Sequence, residues 1–244
     1  MRRLAPAAVI LAACISVQAR AEPQSYVHTP IVEYGEREID LHGGRSRLGD
    51  GTDSNGVAAG FGIGLTPWWF TEVYGISEWD TDEPVQLHSV EWENVFQLTE
   101  TGRHAADVGL LFEVERPRDH AEGYELVYGP LLQTDAGRWQ LNGNLLIDQH
   151  VHANPSVATE LLYEWQAKWR WGEAFEPGMQ GFGEMGKWDH WDHADLQSHV
   201  LGPAVFGKLH LGGHLAVRYD AAFLVAVSAA APDRTLRFRL EFEY

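Results

Sequence analysis

Much of the chain consists of short segments in which apolar side chains alternate with polar or small ones. Between residues 57 and 65 the odd-numbered positions are all apolar, and the even-numbered positions hold only Ala and Gly. Between residues 161 and 171 the odd-numbered positions hold Leu, Tyr, Ala and three Trp, whereas the even-numbered positions are mostly charged. Because successive side chains of a β-strand point to opposite faces, this period of two predicts strands with one apolar and one polar face.

About twelve such segments follow one another, which indicates an all-β chain. The alternation is imperfect, since Leu111 and Leu146 stand in otherwise polar rows, but one exception in a strand is tolerable. The predicted strands cover approximately residues 31–43, 57–65, 69–79, 86–99, 107–115, 123–133, 139–148, 159–172, 178–188, 197–206, 211–227 and 235–244.

The connections between these strands alternate in length. Short turns are expected at 66–67, 100–103, 135–137 and 172–173, and longer loops at 43–55, 80–84, 116–122, 151–156 and 189–195. A membrane-spanning barrel with both termini on one side has an even number of strands, tight turns at one end and longer loops at the other. The pattern therefore predicts a single antiparallel transmembrane β-barrel of about 12 strands.

The alternative is a secreted β-sandwich or a lipocalin-like barrel, in which the apolar rows point inward. Two features favour the membrane barrel. The polar rows carry many ionisable residues, and the apolar rows carry Trp and Tyr towards their ends, as expected at membrane interfaces. Bulky side chains such as Trp165, Trp169 and Trp171 would also have little room inside a soluble barrel.

The first residues are typical of an export signal. Arg2 and Arg3 precede an uncharged run from Leu4 to Val17, which is too short to span a bilayer as a helix. A cut after Ala21 would give a signal peptide at 1–21 and a barrel at 22–244. The alternative is lipidation of Cys14, because residues 11–14 read Leu-Ala-Ala-Cys. Cys14 is the only cysteine of the chain, so no disulfide is expected.

The last segment ends in an unbroken apolar row that faces a polar one. Leu236, Phe238, Leu240, Phe242 and Tyr244 alternate with Arg and Glu. This row resembles the terminal signal of bacterial outer-membrane β-barrel proteins and, more loosely, the chain resembles small outer-membrane transporter barrels. The resemblance implies a Gram-negative outer membrane, contact with its lipid and lipopolysaccharide, and recognition of Phe242 and Tyr244 by the barrel-assembly machinery.

The net charge and the alternation of inward and outward side chains predict a polar lumen. The net charge of −17 disfavours nucleic acid as a partner. We expect passive passage or binding of a small polar or cationic solute; the alternative is a lumen filled by salt bridges. The inward positions expected to determine the lumen are Glu113, Glu115, Glu125, Glu164, Lys168 and Arg170.

One loop concentrates possible metal ligands. Asp189, His190, Asp192 and His193 offer imidazole and carboxylate groups, which suit a divalent metal as the one candidate cofactor; the alternative is a solvated loop tip. An outer-membrane hydrolase of lipid or peptide, with its site at the extracellular rim, is a further alternative. The adjacent Ser198 and His199 point to opposite faces of a strand, however, and cannot pair directly.

Overall fold

The computed structural model describes residues 23–81 and 83–244. The predicted signal peptide, the cut before Glu22 and the alternative lipidation site Cys14 lie outside the described residues. No helix in the described part of the chain is long and apolar enough to cross a membrane.

Twelve antiparallel strands close into a barrel in which each strand pairs with its neighbours in sequence and β1 pairs with β12. The prediction of a single antiparallel barrel of about 12 strands is confirmed. The strands are β1 Arg37–Arg47, β2 Asp53–Thr66, β3 Trp69–Asp80, β4 Gln86–Gln97, β5 Asp107–Pro117, β6 Tyr124–Ala136, β7 Trp139–Val151, β8 Glu160–Trp169, β9 Glu176–Lys187, β10 Ser198–Gly212, β11 Leu215–Ala226 and β12 Arg234–Glu243.

The two ends of the barrel differ in their connections. The turn end carries the tight connections at 67–68, 137–138 and 213–214, and the loop end carries connections such as 152–159 and 188–197. The chain begins β1 and finishes β12 at the turn end, where the backbone N–H of Tyr244 donates to the carbonyl oxygen of Arg37 over 2.9 Å. The predicted division into short turns and longer loops is confirmed at 67–68, 137–138, 152–159 and 188–197. The turn at 213–214 interrupts the segment 211–227, predicted as one strand, and the connection at 98–106 is longer than the predicted turn at 100–103.

Apolar side chains point outward and polar ones inward, as the alternation predicts. On β5 the exposed fraction is 42% for Leu110 but 2% for Leu111 and 7% for Glu113. On β12 Leu236 and Phe242 are exposed, whereas Arg237 and Glu241 are buried. Tyr244, just beyond β12, is exposed as well. Because the outer face is apolar and the inner face charged, this barrel fits a hydrocarbon environment and not water.

Aromatic side chains collect at the turn end of the outer surface. Trp68, Trp69 and Phe96 stack with ring centroids 6.1 to 6.5 Å apart. Trp139 and Trp169 meet edge to face at 5.0 Å. Such rings are amphipathic and suit the boundary between lipid and water.

One boundary in the sequence prediction is wrong in an informative way. The first strand begins at Arg37 and not at residue 31, and the loop expected at 43–55 shrinks to residues 48–52. Residues 23–36 precede β1 as an irregular segment that runs inside the barrel, and we call this segment the lumen strap. Its start contacts the loop-end part of β3, where Gln24 donates to Glu78. Its end reaches the turn end, where Glu33 pairs with Arg218 at 3.2 Å.

Glycines in the wall make room for the lumen strap. A Cβ atom at Gly44 of β1 would lie 2.0 Å from the carbonyl oxygen of Pro23, and one at Gly64 of β2 would lie 2.0 Å from that of Glu33. Both separations are far inside van der Waals contact, so only glycine lets the strap backbone approach there. The strap therefore explains the small inward residues at the two ends of β2, whereas at Gly60 and Gly62 a Cβ would meet wall side chains such as Tyr74 and Phe70.

Candidate functional site in the barrel lumen

His28 lies at the centre of the lumen strap and is surrounded by carboxylates from three strands. Its Nδ1 is 2.7 Å from Oε1 of Glu164. Its Nε2 is 3.0 Å from Oε1 of Glu113 and 3.5 Å from Oε2 of Glu93. All four side chains are buried. Three acidic groups around one imidazole require a compensating positive charge, which a proton or a metal ion can supply.

Glu164 holds the strap through more than one contact. Its Oε1 accepts from the backbone N–H of His28 at 3.0 Å and from Nδ2 of Asn144 at 2.6 Å. The same Asn144 amide donates to the carbonyl oxygen of His28 at 2.9 Å. The backbone of the strap is thus satisfied here by side chains of the wall, as a buried non-strand segment requires.

Tyr26 is the second polar contact of the strap. Its hydroxyl donates to Oε2 of Glu93 and lies 3.3 Å from the hydroxyl of Tyr74. The guanidinium of Arg239 stands 4.0 Å from the centre of the Tyr26 ring and pairs with Asp40. Tyr26 therefore joins residues of β1, β3, β4 and β12 through one side chain.

Apolar side chains of the strap pack into two patches on the wall. Val32 contacts a buried cluster that includes Leu111 and Leu146, with Leu162 packed against its edge. These are leucines that stand in the polar rows of β5, β7 and β8 in the sequence. Their inward direction is explained by Val32, which needs apolar partners in the lumen. Val27 packs on the other side of the lumen, in a cluster formed with Phe182, Val200, Ala204, Phe206, Ala222, Leu224 and Ala231.

The charges of the inner wall are divided along the barrel axis. Among the described residues, the inward Lys and Arg side chains lie on β8 and β10–β12, from the middle of the barrel to the turn end. Arg218 pairs with Glu241 at 3.2 Å, and Arg237 pairs with Asp220 at 3.0 Å. The other members of this basic set are Lys168, Lys208 and Arg239. The set is thus held largely by ion pairs with neighbouring acids.

Carboxylates dominate from the middle of β4 to the loop end. Glu91, Glu115, Glu125 and Asp148 lie on adjacent strands β4 to β7. In the part of the chain that the structure describes, none of the four pairs with Lys or Arg; Glu125 and Asp148 are each 3.8 Å from Nε2 of His150. The loop-end half of this wall therefore carries a group of carboxyl side chains that no Lys or Arg of the described residues compensates.

A cavity of about 390 Å³ lies beside the strap at the turn end. Its wall includes Lys168, Lys208 and Arg218 from the barrel and Glu33 and Glu36 from the strap. Burial, opposed by Arg218 and reinforced by neighbouring carboxylates, raises the pKa of Glu36 from 4.5 to about 7. The charge of this cavity thus changes near neutral pH.

The residues expected to determine the lumen lie at different depths. Glu113 and Glu164 meet at His28, while Glu115 and then Glu125 lie nearer the loop end. Lys168 points inward, with its Nζ 4.7 Å from the centre of the Phe206 ring. Arg170 is in the turn after β8, at the cavity mouth, and pairs with Asp135 at 3.3 Å. Their effect on a solute stays a prediction.

The loop expected to bind metal does not gather its ligands. His190 and His193 are exposed, while Asp192 turns back towards Gly186. Among the described residues, the groups of three or more ligand-type side chains with atoms within 4.8 Å of one another lie elsewhere, and one of them is His28, Glu93 and Glu113. Ser198 is buried inward and His199 lies beside Tyr163 on the other face, as their adjacency predicted.

Sequence reasoning missed the strap and with it Tyr26, His28 and Val32. The predicted first strand begins at residue 31, whereas residues 31–36 belong to the strap and β1 begins at Arg37. Pro23, Pro30 and Gly35 were the available signals, since proline removes a backbone donor and is excluded from central strands. Which wall residues meet the strap has no signature in the sequence.

No family model and no curated protein match the chain. Solved structures do. An outer-membrane channel from Pseudomonas putida F1 superposes with a TM-score of 0.60 at 7% identity, covering 90% of this chain and 99% of that one. The NanC porin superposes with a TM-score of 0.54 at 11% identity, covering 84% of this chain and 98% of that one. The translocator domain of autotransporter NalP from Neisseria meningitidis gives 0.50 at 10% identity, covering 87% and 88%. The fold is that of bacterial outer-membrane β-barrel proteins, and the apolar outer surface suits a lipid bilayer.

Proposed function

We propose that this outer-membrane barrel is a narrow channel for small polar solutes, with a preference for cations, and that the lumen strap closes it at rest. The observation that carries the proposal is the position of the strap. It crosses a lumen with a largely polar wall, yet it is not a strand of the sheet, since β1 and β12 pair directly with each other.

The strap can leave the lumen without breaking the pairing between the strands. Up to Val32 its backbone is held by wall side chains, as where the N–H of Val32 donates to Oε1 of Gln97 at 2.7 Å. In the described part of the chain, only its end is bonded to the wall backbone, where the N–H of Gly35 donates to the carbonyl oxygen of Gly64 at 2.9 Å. Displacing the strap breaks these contacts but leaves the strand ladder intact. A barrel of twelve strands is intermediate between small barrels filled by side chains and wide porins. Moving the strap would therefore leave a passage of modest width.

The preference for cations rests on the loop-end carboxylates. Glu91, Glu115, Glu125 and Asp148 stand on adjacent strands without Lys or Arg partners among the described residues. Rings or walls of carboxylates favour cations in pores. The likeness in fold to an outer-membrane channel and a porin supports the channel class.

Planar-bilayer recording of the purified full-length chain tests the proposal. Val32→Ser should weaken the packing of the strap on its apolar patch and raise the time spent conducting by several fold. Val73→Ser is the matched control, because Val73 points outward with 51% of its surface exposed. The reversal potential in a salt gradient should show cation preference, and Glu115→Gln with Glu125→Gln should reduce it. Silence of wild type and Val32→Ser alike, or anion preference, would refute the channel.

A further inference from the structure

We propose that His28, Glu93 and Glu113 form a binding site for a divalent transition-metal ion of the zinc class, and that the ion ties the lumen strap to the barrel wall. This inference goes beyond the channel, because it concerns an ion bound inside the lumen whether or not the barrel conducts.

The first support is the spacing of the three ligand atoms. Nε2 of His28 lies 3.0 Å from Oε1 of Glu113 and 3.5 Å from Oε2 of Glu93. Two ligands at about 2.1 Å from one ion, seen at 90 to 110°, stand roughly 3.0 to 3.4 Å apart. Both distances from Nε2 are thus close to those in a zinc coordination sphere, and the three ligand atoms lie within 4.8 Å of one another.

The second support is the state of Nε2. His28 has 8% of its surface exposed, and its Nε2 is fully buried and makes no hydrogen bond. The carboxylate oxygens beside it are close in distance but are not placed as hydrogen-bond partners. A buried ring nitrogen without a well-aligned hydrogen bond is costly. A metal ion on the axis of that nitrogen would satisfy it and would bind the flanking oxygens.

The third support is the contact on the other ring nitrogen. Nδ1 of His28 is 2.7 Å from Oε1 of Glu164. An ionised carboxylate only accepts hydrogen bonds, so this contact places a proton on Nδ1, and in the neutral ring the lone pair is then on Nε2. Histidine ligands of metals almost always donate their second N–H in this way, often to a carboxylate. Glu164 is therefore a positioning residue for the ligand His28.

Charge balance points in the same direction. In the described part of the chain, Glu93, Glu113 and Glu164 form no ion pair with Lys or Arg. A divalent ion would compensate two of the three carboxylates. By contrast, the acidic group of Glu38, Asp40 and Glu241 already has the guanidinium of Arg239 at Asp40. One imidazole with carboxylate oxygens suits zinc and related divalent ions.

The site links two parts of the molecule. His28 belongs to the strap, Glu93 to β4 and Glu113 to β5. An ion bound by all three would cross-link the strap to the wall at mid-lumen. Removal of the ion should leave the barrel closed as a sheet but should make the strap easier to displace.

Zinc titration of the full-length barrel in detergent, stripped with a chelator and measured against a chromophoric competitor, tests the site. We expect one equivalent of saturable binding. Affinity should fall more than tenfold in His28→Gln and in Glu113→Gln, and by a smaller factor in Glu164→Gln. The double variant His190→Ala/His193→Ala should bind as the wild type does. Heat-dependent migration on gels verifies that each variant is folded.

Two measurements on the wild-type chain keep the test decisive if a variant fails to fold. X-ray absorption at the zinc edge should show one imidazole with oxygen ligands, and zinc should slow proteolysis within the strap. The site is refuted if no saturable binding occurs. It is also refuted if absorption shows two imidazoles, or if binding is lost only when His190 and His193 are replaced. Because none of these readouts requires conduction, failure of the channel proposal would leave the result interpretable.

Discussion

A Cβ atom at Gly44 would lie 2.0 Å from the carbonyl oxygen of Pro23. The two atoms belong to the barrel wall and to the lumen strap, so a side chain at this position and the seated strap cannot coexist without movement. The close approach of two backbones here is what fixes the start of the strap against β1.

Gly44→Ala should therefore displace the beginning of the strap and lower the free energy of unfolding by about 1–3 kcal/mol, the usual cost of overpacking. Unfolding in urea, followed by tryptophan fluorescence, measures the change. Gly143→Ala is the matched control, since a Cβ there meets nothing within 4 Å. Equal stability of the two variants would show that Pro23 does not pack against β1.

The neighbouring leucines of β5 provide a test of the lumen packing. Leu111 is buried against the cluster of Val32, whereas Leu110 faces outward. Leu111→Ala should lower the free energy of unfolding by about 2–5 kcal/mol, because it opens a cavity beside the strap. Leu110→Ala should cost clearly less, because lipid or detergent can fill the space. Urea unfolding in one detergent measures both, and a larger loss for Leu110→Ala would contradict the inward direction of Leu111.

The shifted pKa of Glu36 predicts a pH dependence of stability. Between its ordinary pKa of 4.5 and about 7, the folded chain keeps a proton that the unfolded chain releases. The contribution of Glu36 to the free energy of unfolding therefore falls as pH rises through this window and is constant above it.

Unfolding of wild type and Glu36→Gln at a series of pH values isolates this effect. The free energy of unfolding of wild type minus that of Glu36→Gln should decline from pH 4.5 to about 7 and then level off. Glu100→Gln, in an exposed turn, serves as the control for loss of a carboxylate. A difference that grows with pH would contradict the assigned burial of Glu36.

The buried pair of Arg239 and Asp40 should be sensitive to loss of one partner. Asp40 has no exposed surface and also contacts Nδ1 of His42 at 2.8 Å. Arg239→Met leaves the carboxylate of Asp40 without a cation and should lower the free energy of unfolding by about 3–5 kcal/mol. Adding Asp40→Asn should recover part of the loss.

The exposed pair of Arg103 and Glu100 is the control for that experiment. Arg103→Met should change the free energy of unfolding by less than about 1 kcal/mol, because solvent screens exposed pairs. Chemical unfolding of the three variants in parallel gives the comparison. Similar losses in Arg239→Met and Arg103→Met would mean that Asp40 is hydrated in the folded barrel.

The alternation of side chains by itself determined the strands, their approximate number and the direction of each face. It could do so because a strand has a fixed period of two and because lipid accepts only the apolar row. Glu113 and Glu164 were placed inward on the same grounds. Their meeting at one histidine was not predictable, since the period says which face a residue occupies and nothing about what lies opposite.

Only the tertiary structure decided what fills the lumen. The strap has no regular period, and its contacts join residues far apart in sequence, such as His28 with Glu164 and Val32 with Leu146. Leu111 and Leu146 look like errors in a polar row until the strap is in place. An irregular segment takes its conformation from the wall around it, so its position depends on closure of the barrel, which no local pattern records.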